Sequence, residues 1–108
     1  MPTIDDFEAL ALRSGTVLRA EPNEAARHPS IKLWIDFGEL GELQSSAKIT
    51  DRYTSADLIG RQVVAVTGFE PMRIAGFRSD VLVLGAMEDG QVVLLNIDDP
   101  VPPGSVIA

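Results

Sequence analysis

The sequence predicts an all-β fold: an OB-fold, or five-stranded Greek-key barrel, with a short helix between its third and fourth strands. An N-terminal helix and a C-terminal extension complete it. Three observations carry this reading. Short strand-like runs recur along the chain, and one helical break falls between the third and fourth of them. The 108 residues suit a single domain, 1–108, with little room for a second. The periodicity alone also fits another small barrel or sandwich, and the position of the single internal helix favours the OB order.

Thr3 opens the first element. In TIDDFEAL, Thr3 is placed to accept from early backbone N–H groups, and Asp5 and Asp6 suit the positive end of a helix. Ile4, Phe7 and Leu10 then share one face of a short amphipathic helix, 3–10, that needs a surface to pack on. Leu12 to Ala20 (LRSGTVLRA) reads as the first strand, with Gly15 marking a bulge or bend. The polar loop EPNEAARHPS, punctuated by Pro22 and Pro29, follows. IKLWIDFG alternates: Ile31, Leu33, Ile35 and Phe37 on one face, Lys32, Trp34 and Asp36 on the other. GELG then turns the chain into ELQSSA, a third strand, as a hairpin.

Thr54-x-x-Asp57 is a capping box with Asp in place of Glu, and it predicts a helical turn ending near Gly60. Three strand-like runs follow: RQVVAVTGF, DVLVLGAM and QVVLLNI. The last two are joined by Glu88-Asp89-Gly90-Gln91, where Asp-Gly signals a hairpin. The tail, 98–108, is Pro-rich and irregular and ends in apolar VIA. Between the first two of these runs lies FEPMRIAGFRSD, whose Arg73 and Arg78 a plain connector would not carry.

Composition narrows the function. Hydrophobic residues at 45% and charged residues at 23% are those of a folded domain and far from a disordered one. With no cysteine, disulfides, thiolate nucleophiles and Cys-based zinc sites are excluded. No apolar run reaches the roughly 20 residues of a membrane span, and no secretory leader is visible; the expected location is cytoplasmic, without membrane insertion. The formal charge of −7 disfavours long-range attraction of nucleic acid. All nine basic residues lie at or before Arg78, however, and Asp80, Glu88, Asp89, Asp98 and Asp99 make an uncompensated acidic end. A local basic face on an acidic body is compatible with that distribution.

No catalytic constellation stands out: no Walker sequence, no Gly-x-Gly-x-x-Gly, no His-Glu-x-x-His. His28 is the only histidine, so no multi-His metal site can form, and its expected role is a surface or packing one, with a minor ligand contact as the alternative. Ser45 and Ser46 are adjacent strand hydroxyls without a positioned base, which makes hydrogen bonding their expected work. The reading is a binding protein rather than an enzyme, without cofactor or metal.

Several segments in order carry a resemblance: IDDFEAL, RSGTVLRAE, IKLWIDFG, QSSAKITDRYT, RIAGFRSDVLVLGA and VVLLNIDDPVPPG. Together they resemble the tRNA-binding OB domains of free-standing tRNA-binding proteins and of methionyl-tRNA synthetase C-terminal domains. Within that superfamily the chain looks most like the CsaA-type secretion chaperones. The resemblance implies a cytoplasmic homodimer that holds unfolded exported preproteins without ATP, with possible links to the export machinery and tRNA binding as the alternative activity. The general tRNA-binding domains carry a Ser-Gly-Leu-like stretch where this chain has Ser45-Ser46-Ala47.

The expected groove bears Lys32, Trp34, Ser45, Ser46, Lys48, Arg73, Phe77, Arg78 and Ser79. Arg73 and Arg78 are either solvated charges paired to Glu70 and Asp80, or a guanidinium pair gripping phosphates or peptide carbonyls. Trp34 either stacks on a base or apolar side chain, or packs under the first helix or at a subunit contact. Phe77 is either a core residue or a stacking one. The N-terminal helix and the C-terminal VIA are each a lid, an edge covering or, as the preferred reading, the dimer interface, where the apolar face of Ile4, Phe7 and Leu10 finds a partner.

Overall fold

A computed structural model describes residues 1–108. Its centre is a five-stranded antiparallel sheet in the order β3-β2-β1-β4-β7. The strands are β1 (Leu12–Pro22), β2 (Ile31–Asp36), β3 (Glu42–Ala47), β4 (Gln62–Val66) and β7 (Leu82–Val83). Two hairpins extend the barrel: β5 (Met72–Ile74) with β6 (Phe77–Ser79), and β8 (Gly85–Glu88) with β9 (Gln91–Leu94). The helices are α1 (Ile4–Ala9) and α2 (Ser55–Leu58), and a 3-10 turn, Gly38–Leu40, links β2 to β3. The expected OB order is thus observed, with the internal helix between β3 and β4.

The alternation in IKLWIDF is realised literally. Ile31, Leu33, Ile35 and Phe37 are buried in the barrel interior, where Val17, Val63, Ala65, Leu58 and Leu94 meet them. α2 closes one end by burying Leu58, and the Tyr53 hydroxyl accepts the Leu94 N–H at 3.0 Å nearby. Both helices carry reciprocal capping boxes, Thr3 with Asp6 and Thr54 with Asp57. Hydrogen bonds from the Thr54 backbone N–H and hydroxyl hold the Asp57 carboxyl below its ordinary value of 3.8.

Gly15 has a different reason from the one its sequence context predicts. The register irregularity of β1 falls between Val17 and Arg19, not at Gly15. A Cβ at Gly15 would stand 2.5 Å from Ile35 Cγ2 and 2.7 Å from Phe37 Cε1, so glycine is there for close packing. The bulge turns both Leu18 and Arg19 outward.

The seam between β3 and the segment before β7 is closed by one backbone bond and several side-chain bonds. Asp80 N–H donates to Gln44 C=O at 2.7 Å, and Asp80 Oδ2 accepts the Gln44 N–H at 3.0 Å. Ser79 Oγ accepts the Ser46 N–H at 3.2 Å, and Ser45 Oγ donates to Val81 C=O at 2.9 Å. The barrel is therefore nearly, not fully, closed by backbone.

The tail is less irregular than its composition suggests. Ser14 N–H donates to Ser105 C=O at 2.9 Å and Ile107 N–H to Leu12 C=O at 3.0 Å, while Arg13 and Val106 form a bridge. Residues 104–107 thereby take, beside the first part of β1, the place that β2 takes beside the rest. No helix is long and apolar enough to cross a membrane.

Candidate functional site

The FEPMRIAGFRSD stretch is itself a hairpin. β5 and β6 pair Arg73 with Arg78 and Ile74 with Phe77 across a two-residue turn, Ala75–Gly76, both at positive φ (51° and 78°). That is the primed turn matched to strand twist, built here without the usual Asn or Asp. The hairpin leans on β3: Gln44 Nε2 donates to Arg78 C=O at 2.7 Å.

Its tip faces the β1–β2 loop, residues 23–30. The neck of that loop is tied by Asn23 N–H to Ser30 C=O at 2.9 Å, and the Asn23 carboxamide is buried there with neither atom hydrogen-bonded. Between loop and hairpin tip lies a cleft of about 340 Å³. Arg27, His28 and Lys48 bring positive or ionisable groups to it, Ser30 and Ser46 bring hydroxyls, and Ala25, Ala26, Ile74 and Ala75 supply apolar wall. The Ser46 and Ser30 hydroxyls lie 3.3 Å apart. Nothing acidic lines the cleft, so an anion entering it meets no opposing carboxylate there.

Ser46 continues the surface outward. It sits opposite Lys32 in the β2–β3 register, and Lys32 Nζ lies 5.3 Å from the Phe77 ring centre. Phe77 meets Trp34 edge-on, with ring centres 5.5 Å apart and planes at 83°. The Arg19 guanidinium lies over Trp34 at 3.8 Å. Lys32, Trp34 and Phe77 therefore form one outer-face cluster, and one face of the indole is already occupied by Arg19.

The nine expected groove residues divide. Ser46 and Lys48 line the cleft, and Lys32, Trp34 and Phe77 form its outer continuation. Ser45 lies in the interior with its hydroxyl committed to Val81, because its strand position points inward, and it does not reach the groove. Ser79 serves the seam through Ser46 N–H. Arg78 is ion-paired to Asp80 at 2.7 Å, and Arg73 Nη1 donates to Gly76 C=O at 3.1 Å within its own hairpin. The two arginines are thus held in local bonds instead of standing free as a clamp.

Arg19, Arg27 and Ser30 belong to this surface and were not expected in it, and His28 takes the place of a ligand contact there. The adjacent Arg27-His28 in a loop flanked by prolines is the one signal that pointed to that loop. Two further, mainly apolar clefts of about 160 and 280 Å³ adjoin the cleft through Ser46, the first carrying Glu70 and Asp80 as well. Phe69, Met72 and Leu82 line the first, and Leu82, Val83 and Val92 the second. A separate groove of about 480 Å³ lies between α1 and the tail, lined by Ile4, Phe7, Val106 and Ile107.

Residues 12–106 match the family model described as "Putative tRNA binding domain". The chain is 55% identical to the chaperone CsaA of Bacillus anthracis str. Ames, with a TM-score of 0.93, covering 100% of this chain and 99% of that one. It is 40% identical to the CsaA chaperone protein of Picrophilus torridus, again with a TM-score of 0.93 and 100% of both chains covered. Among curated relatives, the methionine–tRNA ligase of Methanothrix thermoacetophila is 42% identical over 100 residues, 93% of this chain and 14% of that enzyme. The chain spans only 14% to 16% of the length of the methionine–tRNA ligases it matches.

Proposed function

We propose, for a chain that belongs to the tRNA-binding-domain family and within it to the CsaA-type branch, that it is a non-catalytic binding module for RNA, tRNA foremost. The observation that carries this is the cleft at Ser46. Two loops distant in sequence bring Arg27, His28 and Lys48 to one place on a protein whose formal charge is −7. Arg27 and Lys48 favour an anion in a cleft that no carboxylate lines, because screening confines each charge to about 8–10 Å in physiological salt. Lys48 and Arg27 contact phosphate, Ser30 and Ser46 offer hydroxyls to phosphate or ribose, and Lys32, Phe77 and Trp34 carry the strand onward.

Anisotropy of labelled tRNA tests this, with emission of the single tryptophan, Trp34, followed in the same titration. Binding that weakens steeply with salt and quenches Trp34 is the expected result. Binding without salt dependence, or none at low salt, refutes it.

A second reading rests on the two neighbouring clefts, which share Ser46, Lys48 and Ile74 with the first. The clefts bearing Phe69, Met72, Leu82 and Val92 suit apolar side chains of an extended polypeptide, in line with relatives described as chaperones. On this reading the protein holds unfolded exported preproteins without ATP, competing with their aggregation. A labelled unfolded preprotein segment, bound equally at low and moderate salt and not displaced by tRNA, is its signature.

Two copies joined through α1 and the tail complete the proposal. Ile4, Phe7 and Leu10 with Val106 and Ile107 form the shared face, as dimerisation extensions at residues 3–10 and 98–108. Pairing doubles the clefts per particle and raises avidity for long ligands. A cytoplasmic location agrees with either ligand.

A further inference from the structure

The molecule contains the same two-residue turn twice, with different residues at its first position. In β8–β9 that position is Asp89, φ 49°, followed by Gly90, φ 77°. In β5–β6 it is Ala75, φ 51°, followed by Gly76, φ 78°. A left-handed backbone is tolerated by Asn and Asp, whose side chains bond locally, and is costly for alanine. The β8–β9 turn follows the rule, and its tip is exposed, away from the cleft. The β5–β6 turn breaks the rule, and its tip residue lines the cleft with Ile74, opposite Arg27 and Ala26.

We propose that Ala75 is a specificity-determining residue, a strained hairpin tip whose methyl group forms an apolar wall for the flat face of an unstacked nucleotide. The assignment rests on the RNA-binding reading of the cleft. Ile74 and the methyl of Ala75 bound the space into which a base fits, while Lys48 and Arg27 lie where its phosphate is met. Asn or Asp would relax the turn and place a polar group, bearing charge in the case of Asp, in that apolar wall. Glycine would relax it too, but would remove the wall and loosen the tip. Alanine is the one residue of this small set that keeps the wall apolar and stiff, at the cost of local strain.

The test uses the full chain, bulk tRNA at fixed salt, and thermal unfolding. Ala75→Asn is expected to raise Tm by about 2–6 °C, from relief of a left-handed alanine in a domain of this size. It is expected to weaken tRNA binding at least about fivefold. Asp89→Ala, the reciprocal change at the other hairpin, is expected to lower Tm and leave tRNA binding unchanged. An Ala75→Asn protein that binds tRNA as tightly as wild type overturns the proposal, and so does one with no gain in Tm. Wild-type binding weakened by Lys48→Ala but untouched by Ala75→Asn overturns this proposal alone. Wild-type protein that fails to bind tRNA at low salt overturns the RNA reading, and the ligand half of the proposal with it.

Discussion

Asp80 and Gln44 are bonded to each other twice, at 2.7 Å from Asp80 N–H to Gln44 C=O and at 3.0 Å from Gln44 N–H to Asp80 Oδ2. The pair reproduces one rung of an antiparallel ladder, with a carboxylate in place of one backbone carbonyl. The side chain of Asp80 is largely buried, and its other oxygen meets Arg78.

Removing that acceptor leaves a β3 donor unpaired at the seam. Asp80→Ala is therefore expected to cost about 2–3 kcal/mol, the scale of a hydrogen bond to a charged group. Asp80→Asn, which keeps an acceptor, costs less. Arg78→Ala removes an exposed partner and costs about 1 kcal/mol or less. Urea denaturation of the three variants checks the order.

At Gly15 the barrel interior is filled to contact. Gly15→Ala places a methyl 2.5 Å from Ile35 Cγ2, and overpacking of that kind costs about 1–3 kcal/mol. The same denaturation measurement reads it, and an unchanged midpoint shows that Ile35 and Phe37 make room.

Phosphate contacts are counted by salt. Lys48→Ala and Arg27→Ala are each expected to reduce the slope of log affinity against log salt by about one or less, uniformly across RNA sequences. Arg73→Ala, whose guanidinium is bonded within its own hairpin, is expected to change it less.

The α1–tail face is exposed at Ile4 and Val106, 71% and 67%, so altering it leaves the barrel core intact. Phe7→Glu is expected to convert the proposed dimer to monomer at micromolar protein, read by light scattering, with little change in the unfolding midpoint of the monomer. Wild-type protein that scatters as a monomer refutes the dimer.

Asp57 gives a pH dependence with a definite sign. Its carboxyl holds a proton less tightly in the folded chain than in the unfolded one, so its contribution is complete above 3.8 and is lost as pH falls below it. Asp57→Asn is expected to be less stable than wild type at neutral pH and to converge with it near pH 2. Parallel stability curves across that range would place the shift elsewhere.

Much of the barrel was legible because its signals are local. Alternation in Ile31–Phe37, the caps at Thr3 and Thr54 and the Asp89–Gly90 turn each need only a few adjacent residues. The β5–β6 hairpin was hidden because Ala75 does not have the residue type its backbone calls for. Arg19 was hidden for another reason: the β1 bulge turns two successive residues outward and sets Arg19 opposite Trp34, which strict alternation cannot foresee. Ser45 and Ser46 look alike in sequence, and strand pleat alone sends one inward and the other to the cleft.

The pairing of residues 104–107 with Leu12–Ser14 also has a consequence for how the chain is made. Arg13 and Gly104, like Ser14 and Ser105, are joined across 91 positions. A ribosome releases β1 long before it releases the segment that covers this stretch of its edge. Pairing over such separations forms slowly, and until it forms β1 offers unpaired backbone to any neighbouring strand. The first strand of the barrel is thus among the last to have both its edges covered.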